Sequence, residues 1–151
     1  MKYIAHRGLF NGPNVEMENR PDQIRLALSK GYDSEIDVWK VKDEWFLGHD
    51  KPDYQVDLKF LQQRGLWIHC KNLDALYALT YHVDSLNYFW HENDKFTLTS
   101  QQYIWTYPGN HLTNNSIAVQ PEAKDDWWSW TLDCRYIAGV CTKYVEKFIA
   151  G

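Results

Sequence analysis

Ionisable residues two positions apart recur where short apolar runs end. Glu35-Ile36-Asp37 and His69-Cys70-Lys71 are the clearest pairs, and His6-Arg7 and His91 close two further runs. Side chains two apart on a strand point the same way. Glu35 and Asp37 therefore share one face with Ile36 turned to the other, and His69 and Lys71 do likewise with Trp67 below them. Two carboxylates on one face repel unless a cation sits between them, and hard divalent cations such as Mg²⁺ or Ca²⁺ prefer oxygen ligands. Lys71 and Arg7 offer positive charge to an anion, Arg7 through a fork suited to phosphate oxygens. His6 and His49 can exchange protons near neutral pH. One polar residue at a strand end commonly does no more than meet solvent. Carboxylates, imidazoles, a lysine and an arginine arriving together describe phosphoryl chemistry.

The elements that must position these groups alternate. Lys2–Ala5 reads as a first strand ending in His6-Arg7-Gly8, and Asn11-Gly12-Pro13-Asn14 as loop punctuation. Residues 21–30 read as a helix with Asn19 as its cap, Pro21 in the first turn and Gly31 as its stop. Residues 34–39 form a second strand, and Lys42-Asp43-Glu44 turns it into a hairpin arm carrying His49-Asp50. A helix over 57–64 capped by Asp57, a third strand over 66–71, a helix over 72–82 and a fourth strand over 86–91 follow. This β-α-β-α rhythm implies a parallel sheet, which gathers its chemistry at the C-terminal strand ends. Residues 96–107 are too short for a helical crossover and read as a hairpin ended by Pro108-Gly109. Residues 116–120 and 137–142 are two more strands, with a Trp-rich short helix or loop between them. No repeat or linker interrupts the chain, so residues 1–151 are expected to form one domain.

Composition narrows the function classes. A net charge of −4 argues against general nucleic-acid or anionic-membrane binding, which needs a basic face. No apolar run approaches the roughly 18–20 residues of a membrane span. Met1-Lys2 leads straight into Tyr3-Ile4-Ala5 without an apolar leader, so a cytoplasmic location is expected. Cys70, Cys134 and Cys141 lack metal-type spacing and read as buried thiols. The eight Trp and ten Tyr are the odd feature, concentrated at Trp127-Trp128-Ser129-Trp130. They would fill a core or a homodimer interface, or else form a platform for a sugar or base.

Taken in order, His6-Arg7-Gly8, Glu18-Asn19 before a helix, Gly31, Glu35-Ile36-Asp37-Val38, Lys42-Asp43 and His49-Asp50 resemble the glycerophosphodiester phosphodiesterases. The likeness spans residues 3–52, continues more weakly through Ile68-His69-Cys70-Lys71, and returns at Gly139-Val140-Cys141-Thr142. The resemblance implies a TIM-type (β/α) barrel, reduced here by missing helices and bearing one or two hairpin arms. It implies His6 and His49 as general acid and base, Arg7 and Lys71 as phosphate ligands, and Glu35 and Asp37 as metal ligands. It places His69 where a third carboxylate ligand is usual, so that the metal could be Mg²⁺, Ca²⁺ or the softer Mn²⁺. Glu18 and Asn19 would shape the mouth, and Lys143 stands where an acid is common. The substrate implied is a small phosphodiester. Two other readings follow from the same residues: a degenerate, non-catalytic barrel that binds a phosphorylated ligand, and a carbohydrate protein with exposed Trp rings lining its cleft.

Overall fold

The computed structural model describes residues 1–82, 85–125 and 136–151. Among the described residues, ten strands form one curled sheet: β1 (Lys2–His6), β2 (Asp33–Val41), β3 (Glu44–Leu47), β4 (Tyr54–Val56), β5 (Leu66–Cys70), β6 (Asn87–Trp90), β7 (Phe96–Leu98), β8 (Ile104–Thr106), β9 (Ser116–Val119) and β10 (Gly139–Thr142). The pairings β6-β5-β2-β1-β10-β9-β8 are all parallel. Two antiparallel pieces depart from this run. β3 and β4 fold back on the upper half of β2, and β7 pairs with β8. Beyond β7 the sheet curls toward β6: Ser100 N donates to Tyr88 O at 2.8 Å, and Thr97 Oγ1 to Trp90 O at 2.9 Å. This mixed α/β architecture is consistent with a reduced barrel.

Helices α1 (Pro21–Ser29), α2 (Leu58–Leu61), α3 (Leu73–Leu79) and α4 (Val145–Ala150) are short. Asp57 caps α2 through the Phe60 amide, and Asn72 caps α3 through that of Ala75. Gly31, at φ +85°, ends the turn after α1 in a conformation a Cβ would disfavour. Residue 19 is not the α1 cap that the pattern suggests. Arg20 occupies that position without a side-chain bond, because the Asn19 side chain is committed to β2. The helix expected over 57–64 is only Leu58–Leu61, and β4 and α4 carry too little periodicity for the sequence to announce them. Residues 107–115 cross from β8 to β9 without a helix.

Strand alternation sorts the core into two layers. Outward residues such as Ile36, Val38 and Ile68 pack with Ile24, Phe60, Leu61, Ala75 and Leu79 under the helices. Inward residues Ile4, Trp67, Phe89, Trp105, Ile117, Val119 and Cys141 fill the inside of the curl. The aromatic load therefore has a packing role. Trp105 lies 5.8 Å from Trp67 and 4.8 Å from Phe89, ring centre to ring centre, and closes the floor with tilted rings. None of the described tryptophans is exposed, contrary to what a Trp-lined carbohydrate cleft would need. Trp127, Trp128, Trp130 and Cys134 lie outside the described residues. Cys70 and Cys141 are buried and unpaired, as expected.

Candidate active site

Moving two residues up each inward column replaces a hydrophobic floor with an ionisable wall: Ile4 gives way to His6, Trp67 to His69, and Phe89 to His91. On β2 both inward positions at this level are acidic, Glu35 opposite His6 and Asp37 opposite His69. A cavity of about 60 Å³ results, lined by His6, Arg7, Glu35, Asp37, His49, His69, His91, Tyr107 and Gln120 above Trp105 and Val119. His6, Arg7, Glu35, Asp37, His49 and His69 thus converge. Lys71 does not share that cavity. Its backbone extends the strand by donating to Val38 O, and its side chain lines an adjoining hollow of about 290 Å³ with Trp90 and Glu92. The two hollows have His49, His69, His91 and Tyr107 in common.

Asp37 is the most heavily held group. Asn19 Nδ2 donates to its Oδ2 at 2.8 Å while its own amide donates to Asn19 Oδ1 at 2.9 Å, both bonds buried. His69 Nδ1 lies 3.1 Å from Oδ1, and Arg7 Nε 3.5 Å from Oδ2. Burial works to protonate this carboxyl, but the hydrogen bond and charge of His69, with Arg7 and Asn19, hold it well below the usual carboxylate range. Glu35 has the opposite fate. Burial and the neighbouring Asp37 charge push it up to about 8, even though the Arg7 amide donates to Oε2 at 3.0 Å. Without a cation this buried pair therefore carries one charge and one proton.

Glu35, Asp37 and His69 each offer a ligand atom within 4.8 Å of the others. Two carboxylate oxygens and one imidazole nitrogen suit Mg²⁺ or Mn²⁺, and a cation would offset the burial and the Asp37 charge that together keep Glu35 protonated. The donor set therefore fits a divalent metal. The second nitrogen of His69, Nε2, faces the His91 carbonyl at 3.0 Å, and the ring stacks on Phe89, so the imidazole is fixed by its far side as metal-bound histidines are.

His6 is buried, with Gln120 Nε2 at 3.1 Å from its Nε2 and Glu35 Oε2 at 3.8 Å. Burial and the nearby Arg7 charge lower its pKa to about 3, so the ring is neutral at physiological pH. His49 projects from the turn after β3, half-buried, with Nδ1 2.7 Å from Asp50 Oδ1. Trp39 Nε1 fixes that turn by donating to Gly48 O at 2.7 Å. Arg7 adopts φ +55° and lays Nη1 on Glu18 Oε2 at 2.7 Å. Its Nε is buried without a hydrogen-bond partner.

Gln120 and Tyr107 are not marked by the sequence pattern, and Lys143 is marked only as a departure from the family's acid. Gln120 was within reach of the strand-end rule, since it follows β9 as Arg7 follows β1. Tyr107 stacks on His91 at 4.2 Å and walls both hollows, but it sits on an irregular crossover without periodicity.

No protein-family profile matches this chain, and no curated protein does. The chain is similar in fold to the crystal structure of a putative glycerophosphodiester phosphodiesterase from Galdieria sulphuraria, with a TM-score of 0.58 at 12% identity, covering 99% of this chain and 98% of that one. At that identity the likeness is one of fold, and it runs the full length of both chains.

Proposed function

We propose that this chain is a metal-assisted phosphodiesterase of the glycerophosphodiester type, built on a reduced TIM-type barrel. The observation that carries the reading is the convergence of the Glu35–Asp37–His69 group with His6 and Arg7 in one cavity at the C-terminal ends of parallel strands. The fold of the Galdieria sulphuraria protein and the ordered motif over residues 3–52 support it.

In this reading Glu35, Asp37 and His69 hold a divalent metal, which when bound supplies positive charge to a non-bridging phosphate oxygen. Arg7 binds the same phosphoryl group from the β1 side, and Lys71 approaches it from the adjoining hollow. His6, neutral and buried, accepts the proton of the nucleophile, either water or a neighbouring substrate hydroxyl. His49, at the mouth and oriented by Asp50, delivers a proton to the departing alcohol. The Gln120 amide donates toward the Nε2 lone pair of His6 and so holds the ring in place.

The test is hydrolysis of bis(p-nitrophenyl) phosphate, and then a panel of glycerophosphodiesters, before and after EDTA. Metal-dependent turnover of either is expected. An inactive protein that still binds phosphate would instead support a non-catalytic phosphate binder. One observation favours that second reading: the imidazole of His69 already lies 3.1 Å from Asp37, where a cation would otherwise balance the carboxylate.

A further inference from the structure

Lys143, just past the end of β10, reaches across the mouth to the loop that follows β1. Its Nζ donates to Glu18 Oε1 at 2.8 Å, while the other oxygen of the same carboxylate accepts from Arg7 Nη1 at 2.7 Å. One carboxylate thus bridges two cations, one oxygen for each. The lysine backbone is pinned on both sides: its amide donates to Glu122 Oε1 at 3.2 Å, and its carbonyl accepts from Gly12 N at 2.7 Å. Glu122 is itself fixed, because Oε2 accepts from Thr142 Oγ1 at 2.9 Å.

We propose that Lys143 is a positioning residue for Arg7, acting through Glu18 to keep the guanidinium aimed at, and electrically available to, the phosphoryl group. This rests on the phosphodiesterase reading. Arg7 alone between Glu18 and Asp37 is one cation flanked by two carboxylates, a combination that repels a phosphodiester. Adding Lys143 gives the Glu18 carboxylate a second cation and weakens that repulsion. The pair is mostly shielded, with side-chain exposures of 21% for Lys143 and 11% for Glu18, so salt does not screen it as it would a surface pair. Because Nζ is committed to Glu18, the effect on substrate is indirect.

Steady-state kinetics on bis(p-nitrophenyl) phosphate test this with Lys143→Met, Lys143→Arg, Glu18→Gln and the Lys143→Met/Glu18→Gln pair. Lys143→Met keeps the aliphatic stem and should raise KM roughly tenfold, the scale of one charge-assisted hydrogen bond, with a smaller change in kcat. Lys143→Arg should restore most of the loss, and in the Glu18→Gln background Lys143→Met should add little. A normal KM in Lys143→Met overturns the proposal. So does an undiminished effect in the Glu18→Gln background, which would mean direct contact with substrate. If the wild type hydrolyses nothing, the phosphodiesterase reading falls separately, and calorimetric binding of inorganic phosphate decides for Lys143. Weaker binding in Lys143→Met, restored in Lys143→Arg, supports positioning; equal binding, or none even in the wild type, overturns it.

Discussion

Replacing Asn19 by Ala isolates the bonds that hold Asp37 in place. The substitution deletes both partners of a reciprocal pair, the 2.8 Å bond to Asp37 Oδ2 and the 2.9 Å bond from the Asp37 amide, in a residue only 1% exposed. Each buried group left without its partner costs about 1–3 kcal/mol, so the pair amounts to about 2–6 kcal/mol. Asn19 also sits at φ +60°, which Ala adopts at an additional cost of about 1 kcal/mol. The expected loss is about 3–7 kcal/mol, a large part of the 5–15 kcal/mol that ordinarily separates folded from unfolded chains. Urea unfolding followed by circular dichroism reads it directly. Asn19→Gly separates the two contributions, because it loses the same bonds without the backbone penalty and should be less damaging than Ala by about 1 kcal/mol. A loss below about 1 kcal/mol in Asn19→Ala would refute the claim that this residue, rather than the strand alone, holds the acidic pair.

The stability of the metal-free protein should fall between pH 6.5 and about 8. Over that range Glu35 and His69, both raised in the fold, keep protons that the unfolded chain has released. Glu35 alone, at 1.36 kcal/mol per pH unit, accounts for a drop of about 2 kcal/mol. It should shrink when Mn²⁺ is added, and stability that rises across this window in EDTA would contradict the assignment. Gly48→Ala should disturb both fold and site: a Cβ there meets the backbone oxygen of Lys51 at 2.0 Å, forcing the turn that carries His49 to move. A displacement near 1 Å lowers kcat by as much as ~10²-fold, and an unchanged kcat would remove His49 from the machinery. His6→Ala should lower turnover by about 10²–10⁴-fold with circular dichroism unchanged, and full activity would exclude it as the proton acceptor.

The site was legible where chemistry follows strand periodicity. Glu35 and Asp37 share a face because β2 alternates, and His6 and His69 stand above apolar residues on the same columns. The parallel order was legible for the same reason, with apolar strands and punctuated helices following in rhythm. What escaped the sequence depends on backbone that has no period. Asn19 looks like a helix cap until its positive φ turns it onto Asp37. Lys71 looks like a second inward residue on β5, but β5 ends at Cys70 and the lysine opens into the neighbouring hollow. Lys143 and Glu18 are 125 residues apart, and only the pairing of β1 with β10 brings them together.

An anomalous-scattering map from crystals soaked in Mn²⁺ tests the central claim most directly. A peak bonded to oxygens of Glu35 and Asp37 and to His69 Nδ1, at about 2.0–2.3 Å, is the predicted result. An empty cavity at saturating Mn²⁺, or an ion bound away from this triad, would contradict it.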